Sequence, residues 1–137
     1  MVKDKLDEFV HNHDVDYSDN TVSEKELDEI CKRYDLHIGS ELREYLLKYG
    51  YLGYKQVEMF GINRRQGNAS DMIKRTLSFR KKFPDNKNLI ALIGSGDDAQ
   101  YFVNEKDEVV CYLPWVNRFI WIHNSLLEYI LDTFKKL

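Results

Sequence analysis

The sequence predicts a single α+β domain in which a mixed, mostly antiparallel sheet is flanked by helices. Segments with the helical spacing of apolar residues occur near both ends, and the strand-like segments are grouped between helices rather than alternating with them. The chain has 137 residues, 43% of them hydrophobic, which is enough for one core. We therefore expect residues 1–137 to form one domain, with residues 1–22 as an acidic N-terminal helix and loop.

The first 50 residues predict three helices. An apolar face at residues 6–10 predicts a short first helix, and the polar residues 11–20 predict a loop. Residues 23–26 match the capping box, in which a serine oxygen accepts a backbone N–H and a glutamate reaches back, so the second helix should run from about residue 23 to residue 34. The third helix lies between Gly39 and Gly50, and Gly50 provides the left-handed conformation that ends many helices.

The middle of the chain changes to strand-like spacing. Residues 57–60 predict a strand that ends at Gly61. A basic helix follows, capped by Asn68 or Ser70, with Met72, Ile73, Thr76 and Leu77 as its apolar face. Residues 89–93 are continuously apolar, which predicts a central strand covered on both faces.

The last third predicts a hairpin, an edge strand and a final helix. Residues 101–103 and 109–112 are apolar segments separated by a polar turn, which is the pattern of a hairpin. Residues 119–122 predict a short edge strand. A second capping box at residues 125–128 begins an amphipathic last helix.

Charge is unevenly distributed along the sequence, although the net charge is only -3. Acidic residues crowd the first quarter, and basic residues crowd the segment from Arg64 to Lys82. Such a surface suits a charged protein partner better than nucleic acid, because the acidic end would repel phosphates and the basic helix lacks interleaved aromatic residues. The same pattern also fits two solvated helix faces.

Neither cysteine has the spacing of a metal site or a disulfide framework. Cys31 and Cys111 are far apart in sequence, so we expect buried, reduced thiols and no cofactor or metal. The first residues are too broken by charge for a signal peptide, and no apolar run is long enough to cross a membrane. These features favour a cytoplasmic protein that does not bind membranes.

The order of these segments resembles the SUKH superfamily, a large set of mostly bacterial proteins related to the yeast Smi/Knr cell-wall regulators. The resemblance covers roughly residues 23–134. The segments that carry it are residues 38–50, 57–61, 76–80, 89–93, 101–104 and 125–130. Where the family usually has Leu-Pro at the start of its helix, this chain has Gly39 and Ser40.

The resemblance implies a sheet flanked by helices, with a cleft that binds other proteins. Many bacterial members are immunity proteins, which bind and neutralise a cognate polymorphic toxin, often a nuclease. The resemblance therefore implies an immunity protein, not an enzyme, that occludes the toxin's active site or substrate path. The alternative within the family is a regulatory, protein-binding adaptor without a toxin partner. Whether the free protein dimerises stays open.

Six residues are candidates for binding this partner. Exposed aromatic side chains near strand ends are typical of interface hot spots, and paired carboxylates complement the basic substrate surface of a nuclease. The candidates are Tyr51, Tyr54, Glu58, Asp97, Asp98 and Trp115. For the aromatic residues, packing in the core or at its rim is the alternative.

Other chemistries compete for some of these residues. Residues 94–98 are glycine-rich but lack the lysine of a phosphate-binding loop, so we expect a turn. Asp97 and Asp98 could instead serve a small hydrolase as acid and base. His11 with His13 could bind a metal, and Cys111 with His123 could form a nucleophile and its base, but no third group completes either set.

Overall fold

The computed structural model describes residues 2–62, 71–93 and 99–137, and these ranges contain five helices and seven strands. The helices are α1 (Val2–Asn12), α2 (Glu24–Tyr34), α3 (Ser40–Lys48), α4 (Met72–Lys82) and α5 (Leu126–Lys135). The strands are β1 (Asp16–Tyr17), β2 (Leu52–Tyr54), β3 (Val57–Met59), β4 (Ile90–Ile93), β5 (Gln100–Val103), β6 (Val109–Leu113) and β7 (Arg118–His123).

The strands form two antiparallel sheets rather than the one sheet that the sequence predicted. An N-terminal sheet has the order β1-β2-β3, and a C-terminal sheet has the order β4-β5-β6-β7. Buried residues from both sheets and from the helices belong to one hydrophobic core. The α+β class with antiparallel pairing is confirmed.

The prediction that residues 89–93 form a central strand is wrong, because β4 is the edge strand of its sheet. Its first three residues are nonetheless buried. The backbone N–H of Phe60 donates to the carbonyl of Leu92 at 2.7 Å, so the chain leaving β3 covers this edge. On the helix side, Thr76 of α4 accepts a hydrogen bond from the Ala91 N–H at 3.0 Å. A shielded edge strand therefore has the same apolar sequence as a central one.

The prediction of a loop over residues 11–20 is wrong in part. The first helix continues to Asn12, and Asp16 and Tyr17 form β1. This strand pairs with β2, which the sequence did not reveal either, through Gly53 and Leu52. Two or three residues are too few to show strand alternation, so both strands depend on pairing that sequence spacing cannot indicate.

The caps of α2, α4 and α5 differ in how well they were predicted. The box on α2 is complete, because the side chain of Ser23 accepts the Glu26 N–H and the Glu26 side chain accepts the Ser23 N–H. Asp71, rather than Asn68 or Ser70, caps α4. Both of the predicted caps lie outside the described residues.

The predicted box on α5 is only half formed. Ser125 accepts the Glu128 N–H at 3.2 Å, but its own N–H donates to Nδ1 of His123 at 3.0 Å. His123, the last residue of β7, therefore takes the place that the sequence assigned to the Glu128 carboxylate.

A buried carboxylate from the β5–β6 turn caps α3. The N–H groups of Glu41 and Leu42 donate to the two carboxylate oxygens of Asp107, each at 3.0 Å. The N-cap residue itself, Gly39, has no side chain, and a Cβ there would lie 2.3 Å from Oδ2 of Asp107. Burial raises the pKa of the Asp107 carboxyl, although the two N–H donors partly oppose this effect. Gly39 thus leaves space for a cap that comes from a distant turn.

The same helix supplies a cap to α5. Glu41, in the first turn of α3, accepts hydrogen bonds on Oε1 from the Ser125 hydroxyl at 2.7 Å and from the Leu127 N–H at 2.9 Å. Carboxylates are favourable at helix N-termini, where unpaired N–H groups point outward. Asp107 thus connects the β5–β6 turn to α3, and Glu41 connects α3 to α5.

Two glycines allow the chain to cross itself beside the N-terminal sheet. Gly50 ends α3 with φ of 76°, as predicted, and a Cβ on Gly61 would lie 1.6 Å from the Gly50 oxygen. That oxygen accepts the Ile62 N–H at 3.0 Å. Beneath the crossing, the buried hydroxyl of Tyr45 donates to the Phe60 carbonyl at 2.7 Å. The exit of the chain from β3 is therefore fixed by backbone contacts that exclude a side chain.

Loss of the α3 cap should destabilise the fold. We expect Asp107→Asn to lower the free energy of unfolding by about 1 kcal/mol, because the two N–H groups donate to different carboxylate oxygens and one of these becomes an NH₂ group, which cannot accept. Asparagine tolerates the left-handed backbone of this position (φ 62°), so the change isolates the cap. Urea denaturation measures the effect. Glu105→Gln in the same turn is the control, and an equal loss in both variants would contradict the cap.

Asp7 should make stability depend on acid pH. Burial alone would raise the pKa of Asp7, but Lys48 at 3.2 Å, Tyr49 and His11 outweigh it and the pKa is lowered. The stabilisation is therefore present above the ordinary value of 3.8 and is lost as pH falls below it. Urea denaturation between pH 3 and pH 6 should show a shallower acid loss for Asp7→Asn. Glu8→Gln, on the exposed side of α1, should leave the profile as in the wild type.

Candidate protein-binding cleft

A cleft of about 680 Å³ lies between α4 and the C-terminal sheet. Its base is aromatic: the rings of Phe79 of α4 and Phe102 of β5 are in contact, tilted by 39° with centroids 4.2 Å apart, and Tyr112 of β6 lies beside them. All three side chains are buried. Concave surfaces of this size that combine aromatic and polar side chains are where proteins commonly bind ligands or peptide segments.

The rim of the cleft carries Trp115, which is 66% exposed and belongs to the turn between β6 and β7. The turn is held in place from below, because the Tyr112 hydroxyl donates to Oδ1 of Asn117 at 2.7 Å. Asn117 has the left-handed backbone (φ 51°) that lets the turn close. A large aromatic side chain is thus presented to solvent by a well-supported turn.

Cationic side chains of α4 border the cleft. Arg75 and Lys82 both line it, and the guanidinium of Arg75 lies 5.3 Å from the centroid of the Phe60 ring. These residues are two helical turns apart and therefore share one face. The described part of the cleft is aromatic and basic, a combination that suits an acidic or aromatic segment of another protein.

The predicted partner-binding residues do not all meet in this cleft. Trp115 lies at its rim, whereas Glu58 is exposed on β3 in the N-terminal sheet. Tyr51 lies close enough to Asp16 and Glu58 to interact with their charges. Burial is the main cause that raises the pKa of the Tyr51 hydroxyl, and these two negative charges raise it further. These residues form a separate acidic area that we call the β3 face.

Tyr54 and the two aspartates complete the predicted set. The Tyr54 ring packs edge-on against Phe9 at 5.4 Å and Phe134 at 5.6 Å, so it takes part in packing at the rim of the core. Asp97 and Asp98, like the rest of the turn that the sequence predicts at residues 94–98, lie outside the described residues.

Arg80, one of the basic residues of α4, has a structural role. Arg80 donates to the carbonyl oxygens of Tyr34 at 2.7 Å, Asp35 at 2.8 Å and Lys87 at 2.9 Å. These carbonyls include the end of α2, where unpaired acceptors favour a positive charge. Arg80 therefore fixes α4 to α2, and its positive charge interacts with backbone carbonyls of the same chain.

The sequence interpretation missed Phe79 and Phe83, which stack at 4.9 Å beside the cleft. The signal was present, since Phe79 follows Met72 and Thr76 by seven and three residues, on the same helical stripe. Leu77, which was assigned to the buried face, is only half-buried. The basic residues on either side of Phe79 concealed its place in the pattern.

His11 and His13, considered for a metal site, lie in and just after α1, and Cys111, considered as a nucleophile, lies in β6. His11 lies 3.3 Å from Asp7 in the last turn of α1, and the ring of His13 stacks on Phe9. Cys111 is a buried free thiol, and burial raises its pKa. In the described ranges, no group of three or more His, Cys, Asp and Glu side chains could hold a metal ion. None of the described helices has the length and apolar character to cross a membrane.

Comparison with known proteins gives one family and one fold. The SUKH_5 family model, described as "SMI1-KNR4 cell-wall", matches residues 2–135. No curated protein matches the chain. A protein from Pseudomonas syringae pv. tomato with a known crystal structure has a similar fold, with a TM-score of 0.66 at 17% identity over 85% of this chain and 84% of that one.

Substitution of Arg80 should test its structural role. We expect Arg80→Gln to lower the free energy of unfolding by about 2 kcal/mol or more, because three hydrogen bonds from a charged donor are lost. Lys81→Gln removes the neighbouring exposed charge and should change the unfolding midpoint little. Equal effects of the two substitutions in urea denaturation would show that the carbonyl contacts do not stabilise the fold.

Proposed function

The chain belongs to the SUKH family, and from that premise we propose that it is an immunity protein that binds and neutralises a cognate toxin. The observation that carries the proposal is the aromatic cleft with Trp115 exposed at its rim. Tryptophan and arginine are among the residue types that dominate binding energy in protein interfaces. The family resemblance assigns a cleft of this kind to protein partners.

The proposed mechanism is occlusion, and it requires no chemistry from this protein. A toxin segment enters the cleft, packs on Trp115 and Tyr112, and meets the positive charges of Arg75 and Lys82. A standard interface of about 1,600 Å² would then cover the toxin's active site or substrate path. Because one free toxin molecule turns over many substrates, tight binding is needed, and the tightest such pairs reach dissociation constants on the order of 10⁻¹³ M.

The β3 face is a second proposed contact. Tyr51 and Glu58, near Asp16, present negative charge that complements the basic substrate surface of a nuclease. The same role is proposed for Asp97 and Asp98. In this arrangement the cleft anchors the toxin and the carboxylates steer its approach. The complex forms in the cytoplasm of the producing cell, where a nuclease toxin would act.

Co-expression with the toxin-like protein encoded beside this chain tests the proposal. We expect restored growth and a stable one-to-one complex with the wild type. Trp115→Ala should weaken the complex by about 30-fold, equivalent to a 2 kcal/mol hot spot, and Lys82→Glu should also weaken it. Lys81→Glu is the matched control, since this residue is on the same helix but does not line the cleft. Isothermal titration calorimetry measures each affinity.

Other outcomes would change the assignment. If both proteins are soluble and neither rescue nor a complex is seen, the immunity role is wrong, and co-purification with several unrelated partners would support the adaptor. If a complex forms that Glu58→Lys disrupts but Trp115→Ala does not, the β3 face is the main contact and the cleft is not.

A further inference from the structure

The outermost strand of the C-terminal sheet exposes an apolar surface. β7 is at the edge of its sheet, and no strand of the described chain pairs with its outer side. Phe119, Ile120 and Trp121 are 38%, 37% and 58% exposed. Phe119 and Trp121 therefore expose apolar surface on one face of this edge strand, and Ile120 exposes it on the other.

Edge strands of soluble proteins are usually protected from pairing with other chains. Lysine, proline, a short length or inward-pointing charges provide this protection. β7 has six residues, no lysine and no proline, and its only basic side chains, Arg118 and His123, are at its two ends. Its pairing with β6 is regular from Arg118 to Trp121, and a bulge at Ile122 interrupts it only before His123. Its outer edge therefore retains the main-chain groups and the apolar side chains that a further strand would need.

We propose that β7 pairs antiparallel with β7 of a second copy of this chain, about a two-fold axis at Ile120. Two copies joined in this way would form one continuous eight-stranded sheet. The contact is isologous, so each surface must complement itself. Both the side-chain pattern and the charges of β7 satisfy this condition.

The side-chain pattern is self-complementary in this register. Phe119 pairs with Tyr112 of β6, and their tilted rings lie 4.8 Å apart, which places Phe119 on the cleft side of the sheet. Trp121 is two residues further along the strand and shares that side. With Ile120 opposite Ile120 of the second copy, Phe119 lies opposite Trp121 of that copy, and the pair occurs twice. Aromatic cross-strand pairs of this kind stabilise antiparallel sheets.

A shift of one residue is excluded by the alternation of faces. Ile120 pairs with Cys111, which pairs with Tyr101, and the Tyr101 ring lies 5.9 Å from Tyr129 of α5. Ile120 therefore faces the α5 side, opposite to Phe119 and Trp121. Residues directly opposite in an antiparallel pair share one face, so Ile120 cannot face Trp121.

The charges at the ends of β7 are complementary across the axis. Arg118 lies on the same face as Ile120, and in this register it meets the bulged end of β7 of the second copy, at Ile122 and His123. Nε2 of His123 is 3.8 Å from a carboxylate oxygen of Glu128 and 3.7 Å from one of Asp132. Each Arg118 thus approaches an acidic pair on α5 of the other copy. Opposite charges at both ends favour this partner over a strand of unrelated sequence.

Charge substitution at the axis tests this assignment. In sedimentation, the wild type should have twice the 16.3 kDa mass of the chain. Ile120→Lys and Ile120→Glu should each be monomeric, because like charges would face each other across the axis. An equimolar mixture of the two variants should dimerise again, since lysine then faces glutamate. Val116→Lys, at a residue of 50% exposure outside the strand, should remain dimeric.

Arg118→Glu gives an independent measure of the charge pairing. We expect it to raise the dimer dissociation constant by about tenfold. Circular dichroism of each variant checks that it is folded.

Three results would overturn the inference. They are a wild type that is monomeric at about 100 µM, a dimer that Ile120→Lys leaves intact, and a mixture of the two variants that stays monomeric although each is folded. The inference does not rest on the proposed function. If the wild type is monomeric and Ile120→Lys abolishes toxin binding, a toxin strand covers β7 and a second copy does not.

Discussion

The carboxylate of Asp107 is the contact on which the arrangement of the helices depends. It replaces a side-chain cap that Gly39 cannot supply, and it thereby fixes the start of α3 against the C-terminal sheet. Glu41 of the fixed helix then holds the start of α5. The position of α3 also places Tyr45, whose hydroxyl holds the carbonyl of Phe60. Since Phe60 lines the cleft, one buried carboxylate governs both the packing of the helices and one wall of the proposed binding site.

The basic helix α4 shows how structural and binding roles are divided within one segment. Arg80 points its charge at the carbonyls that end α2, while Arg75 and Lys82 border the cleft. Phe79, between them in sequence, forms the base of that cleft. Within this short helix, Arg80 thus stabilises the fold, Phe79 forms the aromatic base of the cleft, and Arg75 and Lys82 give the cleft a positive border. A count of basic residues along the sequence cannot make this distinction.

Features that are set by neighbouring residues could be predicted from the sequence, and features set by distant contacts could not. The complete box at Ser23 and the left-handed Gly50 are local, and both are confirmed. The cap at Asp107 comes from a turn 66 residues away from Glu41, and no spacing rule connects the two. The candidate site follows the same division. Trp115 was identified from its residue type, whereas the cleft beside it exists only once α4 packs on the sheet.

The pairing of the first helix with the last has a consequence for how the protein is made. Phe9 of α1 stacks on Phe134 of α5 at 6.1 Å, and Glu41 meets Leu127 across 86 residues of chain. Residues up to Phe134 must therefore leave the ribosome before these contacts can form, so α1 and α3 lack their packing partner until α5 has been made. Contacts of such long sequence separation also slow folding, because a large loop must close before they form. These contacts thus form only after α5 has left the ribosome.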